Sequence, residues 1–433
     1  VGVLTPPWLF SVLIASVCVA CTTPAVEQVS PAAAATADTE LQNYQLRDLE
    51  THVRAMPNGS ERDYFHGMLA ARSGRFGEAI AELERALPHL RESAPPRAAT
   101  ALATIGTAYR AENRYRDAAR AYAELSERFP NQLDPFPADD AALARILSGT
   151  APQAISWNGP VKLKTSNNPI GSRVTELVVR GVRGVWLLDT GANQSVVSRT
   201  FAQRLGVTAL QGEASAGSGL TGRKSALRAA LLPALQVGGA ALTNVVLIVL
   251  DDENLRIGSG PDAYQIDAIL GYPVLKALGV ITFTRDEFLA GGTIDEDGRG
   301  VPMYMRGLTP AIECDVEGRP LLFTLDTGAS STDLSVRYYE LFRAQAESWK
   351  TQRVEAAGAG GSVNRDVYIQ PRLAMKSGAN MVTLKDVSIL PVRINGGIDI
   401  LFGNLGQDFF EAFETFSLNF STMRFIPGAP RGQ

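Results

Sequence analysis

The sequence predicts a multidomain chain in which an all-α helical-repeat domain is followed by an all-β body of two lobes. Three observations carry this. At 433 residues the chain exceeds what one ordinary core holds. Residues 42 to 147 keep a helical period, but after LSGTAPQAISWNGP the texture becomes short β-branched runs (TELVVRGV, VWLLD, NVVLIVL) punctuated by Gly, Asn or Asp. The stretch LLDTGANQSVVS at 187 to 198 recurs as TLDTGASSTDLS at 324 to 335, which divides the β body into like halves.

Taken in chain order, residues 1 to 21 read as an export signal. PPWLFSVLIASVCVAC has the length of a signal's apolar core and is short for a membrane span. It resembles a bacterial lipoprotein signal, in which Cys21 would carry the lipid after Ala20. Cys18 and the lack of a preceding Lys or Arg depart from that pattern, and an ordinary cleaved signal or an uncleaved anchor is the alternative. The expected location is exported and periplasmic, with an outer-membrane lipid anchor. Residues 22 to 41, small and Pro/Ala-rich, read as a flexible tether.

In the helical domain, 42 to 147, Gly67, Phe76 and Ala79 recur at an offset of 39 as Gly106, Tyr115 and Ala118. Small residues there let two helices approach closely and the aromatic fills between them. Pro88 and Pro130 are expected to stop the second helix of each pair. The stretch IGTAYRAENRYRDAARAYAELSERFP resembles the tetratricopeptide repeat, whose period is about 34. ESAPP at 92 to 96 accounts for the excess as a loop insertion. Two such repeats fall short of independent stability, so the segment 42 to 58 is expected to add a helix, or the array to pack on the next domain. The resemblance implies a protein or peptide partner on the repeats; a spacer is the plainer reading.

The β body runs as a first half at 160 to 290, a hinge at 291 to 302 and a second half at 303 to 430. Each half leads a strand pair into DTGA, then a glycine-rich interruption (AGSGLTG at 216 to 222, AAGAGG at 356 to 361). Each later carries an apolar pair before a glycine that opens a short helix, at DAILGYPVLKALG and DILFGNLGQDFFEAF. Asp189 lies 82 residues before Gly271 and Asp326 lies 77 before Gly403, the mark of an internal duplication.

Composition removes most other chemistries. The net charge of -4 offers no basic surface for nucleic acid, and no nucleic-acid-binding motif is present. All three histidines (His52, His66, His89) precede residue 90, and Cys314 is the only cysteine beyond residue 21. The β body on its own therefore holds no Ser-His-Asp or Cys-His arrangement and no His-ligated zinc. No metal or other cofactor and no disulfide is expected there. Gly217, Gly219 and Gly222 spell GxGxxG, but no strong strand precedes them and Leu242 stands where the acid should be, so no nucleotide site is expected. DEDGRG at 295 begins like a calcium loop but has Arg306 at the twelfth position. DDENLRIGSGPDAYQ at 251 to 265 reads as a surface loop.

An Asp at the end of an apolar strand is held by backbone donors, which the following Gly brings round in a turn. Two such loops face to face would press two carboxylates together, and like-charge repulsion would make them share one proton. On these motifs residues 160 to 430 resemble a retropepsin-like aspartic peptidase with both halves fused in one chain. The resemblance implies a bilobed double β-barrel with a cleft between the lobes. It implies Asp189 and Asp326 as the catalytic pair, braced by Thr190 and Thr327, with Gly191, Ala192, Gly328 and Ala329 shaping the loops. Gly271 and Gly403 would let strands cross behind. Gly217, Gly219 and Gly222, with Gly358, Gly360 and Gly361, would form flaps over an extended peptide. Neither flap carries the tyrosine seen in pepsins, and the halves are longer than a retroviral unit. The expected function is an aspartic endopeptidase acting on a peptide or protein substrate; the alternative is a periplasmic scaffold that binds peptide without cutting it. Ala192 and Ala329 replace the hydroxyl residue that often follows DTG in pepsins, so activity is expected at mildly acidic to neutral pH.

Overall fold

The computed structural model describes residues 1–2, 29–132, 135–217, 224–258, 260, 263–292, 300–358, 361–392 and 401–431. Cys21, Gly219, Gly222, Gly360 and residues 293 to 299 of the expected hinge lie outside the described residues.

The amino-terminal domain is built from α1 (Pro31–Gln42), α2 (Leu46–Ala55), α3 (Ser60–Arg72), α4 (Phe76–Ser93), α5 (Pro95–Ala111), α6 (Tyr115–Arg128) and α7 (Pro135–Leu147). α1 corrects the tether expected at 22 to 41. PAAAATADTELQ is rich in the strongest helix former, Ser30 caps it by accepting the Ala33 N–H, and Pro31 sits at the first turn. Its Ala37 and Leu41 are buried, so the domain begins by residue 31.

The repeat glycines do what their spacing predicts. A Cβ on Gly67 would stand 2.7 Å from Leu83 of α4, and one on Gly106 would stand 2.5 Å from Tyr122 of α6. Pro88 does not end α4, which continues to Ser93. Its neighbours Leu87 and Leu90 are buried, worth about 3–6 kcal/mol together, against about 3 kcal/mol for an interior proline. Nor is ESAPP a loop: only Ala94 separates α4 from α5, and Pro95 and Pro96 open the next helix. The extra residues lengthen helices.

The β body repeats one strand order twice. In the first half Arg173–Val179 pairs antiparallel with Val182–Leu188, which lies parallel to Ala268–Leu270, itself antiparallel to Ser195–Ser198. Ser195–Ser198 runs parallel to Ala240–Leu250, the partner of Lys224–Val237. In the second half Thr309–Val316, Arg319–Leu325, Gly403–Leu405, Asp333–Leu334, Asn380–Ile389 and Gly361–Ser377 follow the same sequence of pairings. A shared antiparallel sheet joins the halves. Val280–Phe283 pairs with Phe416–Asn419 at its centre, with Glu287–Ala290 and then Val161–Asn167 to one side and Arg424–Pro427 and then Val301–Arg306 to the other. Phe283 stacks on Phe416 across the seam at 4.8 Å.

The helical domain packs against both halves. Asp139 of α7 accepts a hydrogen bond from Ser215 at 2.5 Å, and Ile146 closes on Gly212. Tyr115, Leu143 and Leu147 belong to one buried cluster with Leu187 and Ile269 of the first half. Lys276 donates to the Ala111 carbonyl at 2.9 Å, and Arg47 pairs with Glu313 of the second half at 3.0 Å. The segment 251 to 265 is more than a surface loop. It forms a turn at Asp252–Leu255 and a ribbon of Arg256–Ile257 with Tyr264–Gln265, anchored by the fully buried Leu255, and it packs against Gly361–Ser377 of the other half.

Candidate active site

Each aspartate follows an apolar strand that is tied on both sides, which fixes where its carboxylate stands. Asp189 ends Val182–Leu188 and its N–H donates to the Leu270 carbonyl; Asp326 ends Arg319–Leu325 and donates to Leu405, both at 3.0 Å. The chain then turns tightly. Gly191 and Ala192 donate their N–H groups to Asp189 Oδ1 at 2.8 and 3.0 Å, and Gly328 and Ala329 do the same for Asp326 Oδ1 at 2.9 and 3.1 Å. The two turns meet. A Cβ on Gly191 would lie 2.7 Å from the Asp326 carboxyl carbon, and one on Gly328 would lie 2.4 Å from that of Asp189. Only glycine fits at either place.

Beneath the carboxylates the threonines cross. Thr190 N–H donates to Thr327 Oγ1 and Thr327 N–H to Thr190 Oγ1, each at 3.1 Å. Each hydroxyl then donates to a carbonyl of the opposite strand, Thr190 to Leu325 at 2.7 Å and Thr327 to Leu188 at 2.8 Å. Both threonines are fully buried, so this lattice holds the two loops in one geometry away from water.

The two carboxyls are within hydrogen-bonding reach of each other. Burial first, and then the charge and hydrogen bond of Asp326, hold the Asp189 carboxyl well above the usual carboxylate range, against the pull of the Gly191 and Ala192 N–H groups. Two acids this close take up and release protons as a pair. In the singly protonated state one member can accept a proton from water while the other donates one to a carbonyl oxygen.

The glycines behind the loops need one correction. Gly271 passes the Ala192–Gln194 backbone so closely that a Cβ would sit 2.3 Å from the Gln194 carbonyl oxygen. Its counterpart is Gly406, whose Cβ would sit 2.4 Å from the Ser331 backbone and whose N–H donates to Thr332 as that of Gly271 does to Ser195. Gly403 is three residues earlier on the same strand and crosses Asp333. The apolar pair in ILFG drew the match to Gly403, because in NLG an Asn takes the place of an apolar residue. Gly271 and Gly406 follow their aspartates by 82 and 80 residues, a closer repeat.

Gly217 and Gly358 end the outer strands of two hairpins, Ala214–Gly217 with Lys224–Val237 and Thr351–Gly358 with Gly361–Ser377. Gly361, at φ +93°, pairs with Gly358 next to the turn of the second hairpin. Asn404 escaped the sequence reading. Its Nδ2 donates to Asp326 Oδ2 at 3.1 Å, and Thr324 Oγ1 donates to its Oδ1 at 2.6 Å. Among the described residues no group of three or more His, Cys, Asp or Glu side chains comes together to hold a metal.

Residues 175 to 274, which contain Asp189 and Gly271, match the family model described as Aspartyl protease. The match covers the greater part of the first half. No curated protein matches. The solved structures similar to this chain include a retropepsin-like aspartic protease from Rickettsia conorii, 17% identical over 32% of this chain and 94% of that one, with a TM-score of 0.21. A superposition that loose adds nothing to the geometry. The family match and the paired DTGA loops together support aspartic protease activity in general.

Proposed function

We propose that the protein is an endopeptidase in which Asp189 and Asp326 activate one water against a peptide bond. The observation that carries this is the facing pair of DTGA turns: each holds its carboxylate with two N–H groups, and the Thr190–Thr327 lattice fixes one against the other. The ionised aspartate takes a proton from water as the water oxygen bonds to the carbonyl carbon. The carbonyl oxygen takes the proton of the other aspartate, and collapse of the tetrahedral intermediate expels the amine. In this reading the hairpins that include Gly217 and Gly358 serve as flaps, pairing with the main chain of an extended peptide.

Protein lacking residues 1 to 28, incubated with denatured casein and with a peptide library, tests the reading. Wild type is expected to cleave internal bonds, and Asp189→Asn or Asp326→Asn to cleave at least about 10²-fold more slowly. Cleavage by either variant at the wild-type rate, or none by wild type over a broad pH range, would leave the scaffold reading. With no hydroxyl at Ala192 or Ala329, the optimum is expected at mildly acidic to neutral pH; a strongly acidic optimum like that of pepsins contradicts this.

The run ending at Cys21 supports an exported, lipid-anchored location, and the paired helices support a protein partner. Fatty-acid labelling of wild type but not of Cys21→Ala would bear out the anchor; equal labelling would reject it.

A further inference from the structure

The two halves differ in the row of side chains beside the aspartates. We propose that Asn404 is a positioning residue that fixes Asp326 as the ionised member of the pair and leaves the shared proton on Asp189. This rests on the reading of the pair given above.

The pairings of the two halves set Thr324 and Asn404 in the places held by Leu187 and Ile269 in the first half. Thr324 and Asn404 are neighbours across parallel strands, as are Leu187 and Ile269. Leu187 and Ile269 are buried and apolar and offer Asp189 nothing. In the second half the Thr324 hydroxyl takes the amide oxygen of Asn404, which turns the Nδ2 group toward Asp326 Oδ2. Asp326 therefore accepts three donors, from Gly328, Ala329 and Asn404, where Asp189 accepts two. A donor on a carboxylate favours its charged form, so a third donor on one member of a pair decides where a single charge rests.

The titratable groups on the surrounding elements do not supply the same bias. Asp333 pairs with Asn404 on the edge of that strand away from the strand that leads to Asp326. Asp408 has its Oδ1 taken by Thr332, and Glu313 is paired with Arg47. The assignment gives the two aspartates separate parts: Asp326 receives the proton of the attacking water, and Asp189 gives its proton to the carbonyl oxygen.

The test is the pH dependence of kcat/KM for wild type, Asn404→Ile and Thr324→Val on a peptide that wild type cleaves. Asn404→Ile installs the residue found at the equivalent place in the first half, and Thr324→Val keeps shape while removing the hydroxyl. Loss of the Asn404 donor destabilises the singly charged pair relative to the neutral one, so the acidic limb is expected to move up by about one pH unit. The alkaline limb is expected to stay, because Asp326 is ionised on both sides of that step. Thr324→Val is expected to move the acidic limb the same way by less. An acidic limb that stays put in both variants overturns the proposal, as does a shift confined to the alkaline limb. Should Asn404→Ile fail to fold, Thr324→Val alone decides. Should wild type cleave nothing, the peptidase reading falls, and a carbon-13 titration of labelled aspartate carboxyls, which needs no turnover, decides this proposal separately. There the lower apparent pKa of the pair is expected to rise in the variants; an unchanged titration rejects the assignment.

Discussion

Gly191 and Gly328 show how far single residues constrain the site. Each faces the other half's carboxylate across a space that no Cβ can share. Gly191→Ala or Gly328→Ala is therefore expected to abolish cleavage, and folded, fully active protein carrying either change would contradict the geometry. Asp189 makes a second prediction through its raised pKa. Between the unfolded aspartate value, about 3.9, and the folded value, the native state binds more protons than the unfolded one, so stability contributed by this group is complete below about pH 3.9 and is lost as pH rises toward the folded value. Asp189→Asn removes that loss. It is expected to make the protein more stable than wild type at pH 7 while leaving it no more stable near pH 3.5; urea midpoints at the two pH values decide, and equal stability at pH 7 would contradict it. Asp189 and Asp326 were legible in the sequence because a repeated turn at strand ends is a local pattern. Asn404 was not, because its partners Thr324 and Asp326 lie 80 and 78 residues away and meet it only through a parallel register.

Two threonines tie the elements of one half to those of the other. Replacing Thr327 by Val keeps the shape but leaves the Thr190 N–H and the Leu188 carbonyl without partners in a buried place. Each such orphan costs about 1–3 kcal/mol, so Thr327→Val is expected to lower the stability of the β body by about 2–6 kcal/mol in denaturant unfolding. A change under 0.5 kcal/mol would show that the lattice is not needed. At this scale the sequence was legible where pattern is local, as in the strand runs and the close helix approaches at Gly67 and Gly106. It misled where burial outweighed a local signal. Pro88 reads as a stop, yet Leu87 and Leu90 draw the helix past it. The Ala-rich stretch before residue 42 reads as a tether, yet it is a helix with a buried face.

Across the whole molecule the duplication is mechanical as well as chemical. The shared sheet centred on Val280–Phe283 and Phe416–Asn419 holds the halves so that both aspartates arrive at one place. The helical domain joins this body by adding Tyr115, Leu143 and Leu147 to the cluster that holds Leu187 and Ile269. Removing residues 29 to 147 strips three large apolar groups from that cluster, a loss of about 5–9 kcal/mol against a typical domain stability of about 5–15 kcal/mol. The remaining chain is expected to unfold at lower denaturant or to aggregate; an unchanged midpoint would make the helices a detachable spacer. Two repeats, too few to stand alone, already pointed to packing on the next domain as one of two outcomes, but no local pattern says which face of one domain meets another.

The central claim is that two aspartates from two halves make one acid-base pair. It is tested most directly by kcat/KM between pH 3 and pH 9 for wild type, Asp189→Asn and Asp326→Asn on one peptide. The expected result is a bell for wild type, whose two limbs belong to the coupled pair, and loss of cleavage in both variants. Full activity in either variant, or a wild-type rate without two limbs, would contradict it.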